Sequence, residues 1–216
     1  MGEPVTGVSR LDGQGVVVAG GPGGPAGAVA RAAAERGASV VAERADRSYS
    51  TCQAGEEVDE LFDLAAERLA ALSAVVIDLT QEPLPPARPL AETSAADWEA
   101  GLDVLLRRPF LLVQRAVQEF LGGGEGGRIV LVAPEAAAGA GVAAQAAGTA
   151  LRSLVRSVAK EYGRRGIACN AVAVQGGGAL DAVVEAVLFL ASAEASFVNG
   201  EVAPVGNNEG GSGGGD

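Results

Sequence analysis

VVVAGGPGGPAGAVA, residues 16–30, is an apolar run followed by a burst of glycine and then small residues at helical spacing. Such a strand, glycine turn and helix open a βαβ unit, because glycine permits the tight turn between the two elements. The alternation continues along the chain. The predicted strands are Gly15–Gly20, Ser39–Glu43, Ala74–Leu79, Arg128–Ala133, Ile167–Val174 and Glu201–Val205. The predicted helices are Pro25–Arg36, Glu56–Leu72, Ala95–Leu121 with an interruption near Pro109, Val142–Tyr162 and Leu180–Leu190. Strands that are apolar throughout predict a parallel sheet covered by helices on both faces.

Length and composition limit the class of protein. The 216 residues suit one domain, predicted as 1–205, followed by a flexible glycine-rich tail, 206–216. A net charge of −11 argues against nucleic acid or an anionic membrane as the main partner. The chain has no histidine, which removes the commonest metal ligand and general base, and two distant cysteines. With no signal peptide and no apolar run of about 20 residues, we expect a soluble, cytoplasmic protein.

Several further stretches, in a fixed order, decide the family. They are ADWEAGLDVLLRRPFLLVQRAVQEF (96–120), GGRIVLVAP (126–134), GTALRSLVRSVAKEYGRRGIACNAVAV (148–174) and VVEAVLFLASAEASFVNGEVAPVG (183–206). Together with the glycine loop they resemble the short-chain dehydrogenase/reductase (SDR) family and cover most of the chain. The resemblance implies an α/β, single-domain, Rossmann-like, doubly wound parallel sheet. It also implies an NAD or NADP cofactor and hydride transfer by a set of Asn, Ser, Tyr and Lys.

The family's catalytic positions hold other residues in this chain. The register of the motifs puts the helix asparagine at Leu105, the serine at Ala133, the tyrosine at Ala144 and the lysine at Gly148. None of these side chains can transfer a proton. The resemblance therefore predicts that no catalytic set is present and that the chain is inactive on its own.

The cofactor loop is altered as well. The family pattern TGxxxGxG reads AGGPGGPA in this chain, so Gly20 and Gly24 remain while Ala26 replaces the last glycine. Two prolines remove backbone N–H groups from a loop that would donate them to phosphate, although Pro25 is also a good first residue of a helix. We expect a degenerate cofactor site at Gly20, Gly24 and Ala26. Glu43 or Arg44 could touch a ribose of the cofactor. The simpler interpretation is that each is an ordinary solvated loop residue.

Two segments of the family are missing from the sequence. The stretch between ERADRSYS (43–50) and EEVDELF (56–62) has room for a strand at most, so a helix is lost there. After NAVAV (170–174) the chain enters the next core helix directly, without a substrate lid. The family's association elements remain, at 102–121, 142–162 and 182–205.

These observations favour a noncatalytic subunit of a heteromeric SDR complex. The partner would be an active homologue that binds NAD or NADP and acts on a hydroxyacyl or ketoacyl thioester; this chain would bind no cofactor. A stand-alone nucleotide-binding or regulatory protein is the alternative, and an enzyme of different chemistry ranks last.

No metal site is predicted, since the acidic residues from Glu56 to Asp63 suit a solvated helix start. The pairs Arg107–Arg108 and Arg164–Arg165 could be rim charges of an interface, and Cys169 suits the core.

Overall fold

The computed structural model describes residues 10–21, 23–43, 54–82, 84–135, 141–176 and 179–206. Its strands are β1 (Gly15–Ala19), β2 (Ser39–Ala42), β3 (Ala74–Asp78), β4 (Gly127–Pro134), β5 (Ile167–Val174) and β6 (Val202–Val205). Its longer helices are α1 (Pro25–Glu35), α2 (Ala54–Arg68), α3 (Ala95–Leu102), α4 (Arg108–Gly123), α5 (Val142–Tyr162) and α6 (Leu180–Ala191). The elements alternate as the sequence predicted, and the bounds of α5 and β5 are the predicted ones.

All six strands are parallel and lie in the order β2-β1-β3-β4-β5-β6. The strand order reverses between β1 and β3, and in open parallel sheets ligands bind at the carboxyl ends of the strands beside this reversal. The predicted Rossmann-like, doubly wound sheet is confirmed. The candidate site therefore lies where β1 and β3 end.

Helices cover the sheet on both faces. One apolar cluster joins the sheet to α2, α4 and α5 around Phe62, Leu112 and Val155. The second cluster joins the opposite face to α1 and α6 around Val29 and Leu188. Burying each of these large side chains contributes about 1.5–3 kcal/mol, so both helical layers are held mainly by aliphatic packing. Among the described residues, none of the helices has the length and apolar character needed to span a bilayer.

The long helical region is interrupted where proline predicts it. A π-helical turn, Asp103–Arg107, separates α3 from α4, and Pro109 is the second residue of α4. Proline has no N–H to donate to the preceding turn, so the regular hydrogen-bond ladder is broken there. The start of α3 is conventional, because the Ser94 side chain accepts a hydrogen bond from the Asp97 N–H at 3.0 Å.

The last strand is attached to the sheet by a buried asparagine. Asn170 on β5 donates to the Val198 carbonyl and accepts from the Glu201 N–H, each at 3.0 Å. Its neighbour Cys169 is fully buried, as predicted, and burial raises the pKa of its thiol to about 12. An unreactive core thiol follows, because the thiolate is the nucleophilic form.

The predicted absence of a lid after β5 agrees with the structure, in which residues 175–179 alone separate β5 from α6. The predicted loss of a helix after β2 falls largely on residues 44–53, outside the described residues, as do Arg44 and the tail from 207 onward.

Candidate functional site at the carboxyl ends of β1 and β3

The glycine loop joins β1 to α1 at the point where the strand order reverses. Gly20 has a φ of 138°, and a Cβ there would lie 2.9 Å from both Cβ and the carbonyl oxygen of Asp78. The end of β1 can approach β3 this closely because Gly20 has no side chain. Gly24, with a φ of 67°, forms the N-cap of α1 without any side-chain cap.

A carboxylate of the protein itself binds the start of α1. The two oxygens of Asp78, a buried residue, accept hydrogen bonds from the Ala26 N–H at 2.7 Å, the Thr80 N–H at 2.9 Å and the Thr80 hydroxyl at 2.8 Å. Desolvation raises the pKa of the Asp78 carboxyl, and these hydrogen bonds oppose the rise. The amino end of a helix favours an anion, which in nucleotide-binding folds is a phosphate. In this chain Asp78 occupies that role.

A second buried group lies beside the loop. The Glu43 carboxylate accepts a hydrogen bond from the Gly20 N–H at 2.7 Å and binds Nη2 of Arg108 through both oxygens, at 2.8 and 2.7 Å. Nη1 of Arg108 donates to Oε1 of Glu82 at 3.1 Å. The three side chains of this Glu43–Arg108–Glu82 network are 5%, 5% and 2% exposed. The network is thus an internal one, shielded from solvent.

Two sequence interpretations are corrected by this network. Glu43 is not an ordinary solvated loop residue, because its carboxylate is tied to the glycine loop and to Arg108. Arg108 is not a rim charge, because its guanidinium points into the protein toward residues that precede it by 65 and 26 positions. A charged side chain can stay buried when opposite charges and hydrogen bonds compensate it, which is the case for Arg108.

Glu82 remains incompletely satisfied. Desolvation raises the pKa of its carboxyl, the Arg108 charge lowers it, and the carboxylates of Glu43, Asp78 and Glu57 raise it further. Its second oxygen, Oε2, has no hydrogen-bond partner among the described residues. Among the described residues around the loop, the acidic groups therefore outnumber the guanidinium of Arg108.

Several groups of the loop oppose the binding of a dinucleotide. The N–H groups of Gly20 and Ala26 already bind carboxylates, and Pro25 has no N–H. The Gln81 side chain lies over Gly24, with two of its atoms 3.0 Å from where a Cβ on that glycine would stand. A pyrophosphate needs free amide donors and favourable charge, and the carboxylates around this loop oppose both.

The positions that the resemblance assigns to catalysis fall into two separate cavities. Ala133 on β4 and Gly148 on α5 line a cavity of about 160 Å³, at whose edge Arg152 and Glu135 form an ion pair of 3.4 Å. Leu105 and Ala144 line another cavity of about 160 Å³, between the residues before α3 and the start of α5. Ala144 and Gly148 are four residues apart on α5 and therefore lie on one face of that helix, which links the two cavities.

Sequence reasoning did not find the buried polar network. A signal was present in DLTQE, residues 78–82, which places one carboxylate at the end of an apolar strand and a second one four residues later. A second signal was an arginine immediately before Pro109, on a helix whose apolar positions face the sheet. Neither signal identifies its partner, because the groups that meet are far apart in sequence.

The association elements present an exposed face with few charges. A groove of about 390 Å³ runs between α4 and α5, lined by Leu102, Leu106, Phe110 and Leu154 with Asp103 and Arg107. Phe110 is 44% exposed. The outward positions beside it on α4 and α5 are uncharged and exposed or half-buried: Gln114, Gln118, Ala146, Ala150, Ser153 and Ser157. In the region 182–205, Phe197 is 81% exposed. Exposed aromatic residues amid few charges are typical of interface cores.

The sheet order and the glycine loop at its reversal place the protein in the Rossmann-like class of dinucleotide-binding folds. A family model described as enoyl-(acyl carrier protein) reductase matches residues 23–176. The chain belongs to the short-chain dehydrogenase/reductase family of oxidoreductases.

Solved structures share the fold over most of the chain. One is a short-chain dehydrogenase/reductase from Burkholderia xenovorans, with a TM-score of 0.81 and 23% identity over 93% of this chain and 97% of that one. Another is a dehydrogenase/reductase from Sinorhizobium meliloti, with a TM-score of 0.78 and 23% identity over 91% of this chain and 94% of the other. No curated protein sequence matches the chain.

Proposed function

We propose that this chain is a noncatalytic subunit of a heteromeric SDR complex in the cytoplasm. It binds an active homologue that carries NAD or NADP and acts on a hydroxyacyl or ketoacyl thioester. One observation carries the proposal: the carboxylates of Glu43 and Asp78 accept the N–H groups of Gly20 and Ala26, at 2.7 Å each. With two of the loop's amides bound internally, we assign the cofactor to the partner subunit.

The assigned catalytic positions support the same function. The residues at these positions have no side-chain group that can act as an acid or a base: Leu105, Ala133, Ala144 and Gly148. The short connection from β5 to α6 leaves no segment there to enclose a substrate and exclude water. Both features suit a chain whose contribution to the complex is structural.

The face around the α4–α5 groove supports the choice of partner. The resemblance implies that, in SDR oligomers, the two helices of each subunit that correspond to α4 and α5 pack against those of the partner subunit. The groove lined by Leu106, Phe110 and Leu154 can receive apolar side chains of a homologous subunit. The region 182–205, with Phe197, would form the second contact.

The test begins with an affinity pull-down of the chain from its native cell, analysed by mass spectrometry. We expect a near-stoichiometric dehydrogenase with an intact Tyr-xxx-Lys pair. The pull-down is repeated with Phe110→Asp and Phe197→Asp, and with Leu90→Asp as the matched control, since Leu90 is 74% exposed in a short 3₁₀ turn before α3. Loss of the dehydrogenase with the first two variants, and its retention with the control, would assign both surfaces to the interface with the partner.

Calorimetry on the purified chain distinguishes the alternatives. The proposal expects no heat with NAD, NADP or their reduced forms at about millimolar ligand, where even weak sites of about −4 kcal/mol are populated. Measurable binding, together with recovery of the chain alone from the cell, would show a nucleotide-binding protein instead. Turnover by the purified chain would exclude a noncatalytic role.

A further inference from the structure

Helix α5 carries a stripe of positive charge on its solvent side. Its members are spaced four residues apart and all four are exposed: Arg152, Arg156, Lys160 and Arg164, the last just after the helix. Residues four apart lie on one face of a helix. With a rise of about 1.5 Å per residue, the stripe is about 18 Å long. This basic stripe is the feature from which we argue.

Arg156 and Lys160, in the middle of the stripe, have no acidic residue three or four positions away in α5. The positions three residues before and after Arg156 and Lys160 hold serine, alanine or glycine, and the positions four away are basic. Like charges at this spacing destabilise a helix, whereas a solvated helix usually alternates acidic and basic residues. Among the described residues, Arg152 pairs with Glu135 at 3.4 Å, outside the helix, and Arg164 follows Glu161 by three positions. The arrangement is therefore unfavourable for the isolated chain.

The charge of the stripe is opposite in sign to the net charge of the whole molecule. Residues 152–165 contain five basic side chains and one acidic side chain, Glu161, a local net charge of +4. The complete chain has a net charge of −11. An extended polyanion such as nucleic acid or a membrane surface would meet the acidic remainder, so a small acidic surface fits better.

The stripe borders the face beside the α4–α5 groove, since Ser153 and Ser157 of that face precede Arg156 and Lys160 by three residues. Arg152 lines the cavity that Val202 of β6 also lines, whereas Leu154 faces Phe110 of α4 in the groove. The basic stripe is thus a charged surface beside the apolar groove and differs from it in chemistry.

We propose that the basic stripe of α5 docks an acidic helix of another protein. Carboxylates spaced four residues apart on that helix would face Arg156, Lys160 and Arg164 in turn. Such a contact replaces the like-charge repulsion along α5 by charge-assisted hydrogen bonds. Complementary charge of this kind speeds encounter and selects the partner.

The probe for this surface is a labelled helical peptide of about 20 residues with glutamate at every fourth position, long enough to cover the stripe. Its binding to the full chain is followed by fluorescence anisotropy. We expect binding that weakens as the NaCl concentration rises from about 0.05 M to about 0.3 M, because salt screens exposed charges. A peptide of the same composition with its glutamates in one block is the peptide control.

Charge reversal locates the binding surface. Arg156→Glu/Lys160→Glu should weaken binding of the glutamate peptide by about fivefold or more, since two exposed pairs are lost. Arg31→Glu/Arg68→Glu is the matched control, because it changes net charge equally at exposed positions on α1 and α2. Equal weakening by both double variants, or no binding by the native chain, would overturn the proposal. Self-association of the native chain at low salt that Lys160→Glu abolishes would also overturn it, since a second copy would then be the occupant.

Discussion

Replacing Arg108 by methionine tests whether the Glu43–Arg108–Glu82 network supports the fold. Arg108→Met keeps most of the aliphatic volume and removes the guanidinium. It leaves two carboxylates without their cation, at side chains that are 5% and 2% exposed. Removing one partner of a buried ion pair costs about 3–5 kcal/mol. For a domain of this size, where 1 kcal/mol corresponds to about 2–4 °C, the melting temperature should fall by about 6–20 °C.

The matched control is the neighbouring arginine. The Arg107 side chain is 56% exposed and its ion pair with Asp103 spans 3.8 Å. An exposed pair of this kind contributes about 0.3–0.5 kcal/mol, so Arg107→Met should be nearly neutral. Both variants are measured by urea denaturation and by calorimetry at neutral pH. Stabilities of the two variants that agree within about 0.5 kcal/mol would refute the reasoning.

Two further variants separate charge from geometry. Arg108→Lys keeps the positive charge but has a single ammonium in place of the planar fork that reaches both carboxylates, so an intermediate loss is expected. Glu43→Gln/Arg108→Met removes both members of the closer pair. Its loss should be smaller than the sum of the single losses, by about 0.5–3 kcal/mol, because the two side chains are in contact.

Other changes are expected to have smaller, separable effects. Burial raises the pKa of Glu82, so the folded chain binds this proton more tightly than the unfolded chain and its contribution to stability falls as the pH rises. The stability of Glu82→Gln relative to the native chain, measured by denaturation, should therefore increase between about pH 5 and about pH 8. Gly20→Ala should lower the free energy of unfolding by about 1–3 kcal/mol, because Gly20 has a positive φ and β3 approaches it closely. Gly21→Ala is the neutral control, since a Cβ there meets nothing within 4 Å, and equal unfolding midpoints of the two variants would contradict the packing argument. Asn170→Ala should cost about 1–2 kcal/mol by leaving two partly buried backbone groups without their partner, and hydrogen exchange should rise first at β6; unchanged exchange there would contradict this. Cys169, whose thiol has a pKa of about 12, should resist iodoacetamide until the chain unfolds, and peptide mapping that finds native labelling would disagree.

The elements and their order could be predicted because they depend on local pattern. The apolar strands, the glycine after β1 and the helical spacing of leucine and valine in α5 are properties of short stretches. The interruption near Pro109 was equally local, since a missing N–H affects its own turn. Family membership followed from the same stretches taken in order.

The site could be predicted only in part. The sequence places Gly20, Gly24 and Ala26 in the loop, and it shows which residue types stand at the family's catalytic positions. It did not indicate that the amides of Gly20 and Ala26 are bound by carboxylates. Glu43 and Asp78 lie 23 and 52 positions from the residues whose N–H groups donate to them. Nothing in the intervening sequence specifies these contacts.

By itself, then, the sequence determined the parallel sheet, its covering helices and the glycine turn at the reversal of strand order. These depend on backbone preference and on the period of apolar residues, which neighbouring residues set. Only the tertiary structure decided that Arg108 and the acidic side chains around it are buried beside the loop. Whether a charged side chain is solvated or buried depends on which distant groups the fold brings within hydrogen-bond distance, and the sheet brings these together from β2, β3 and α4.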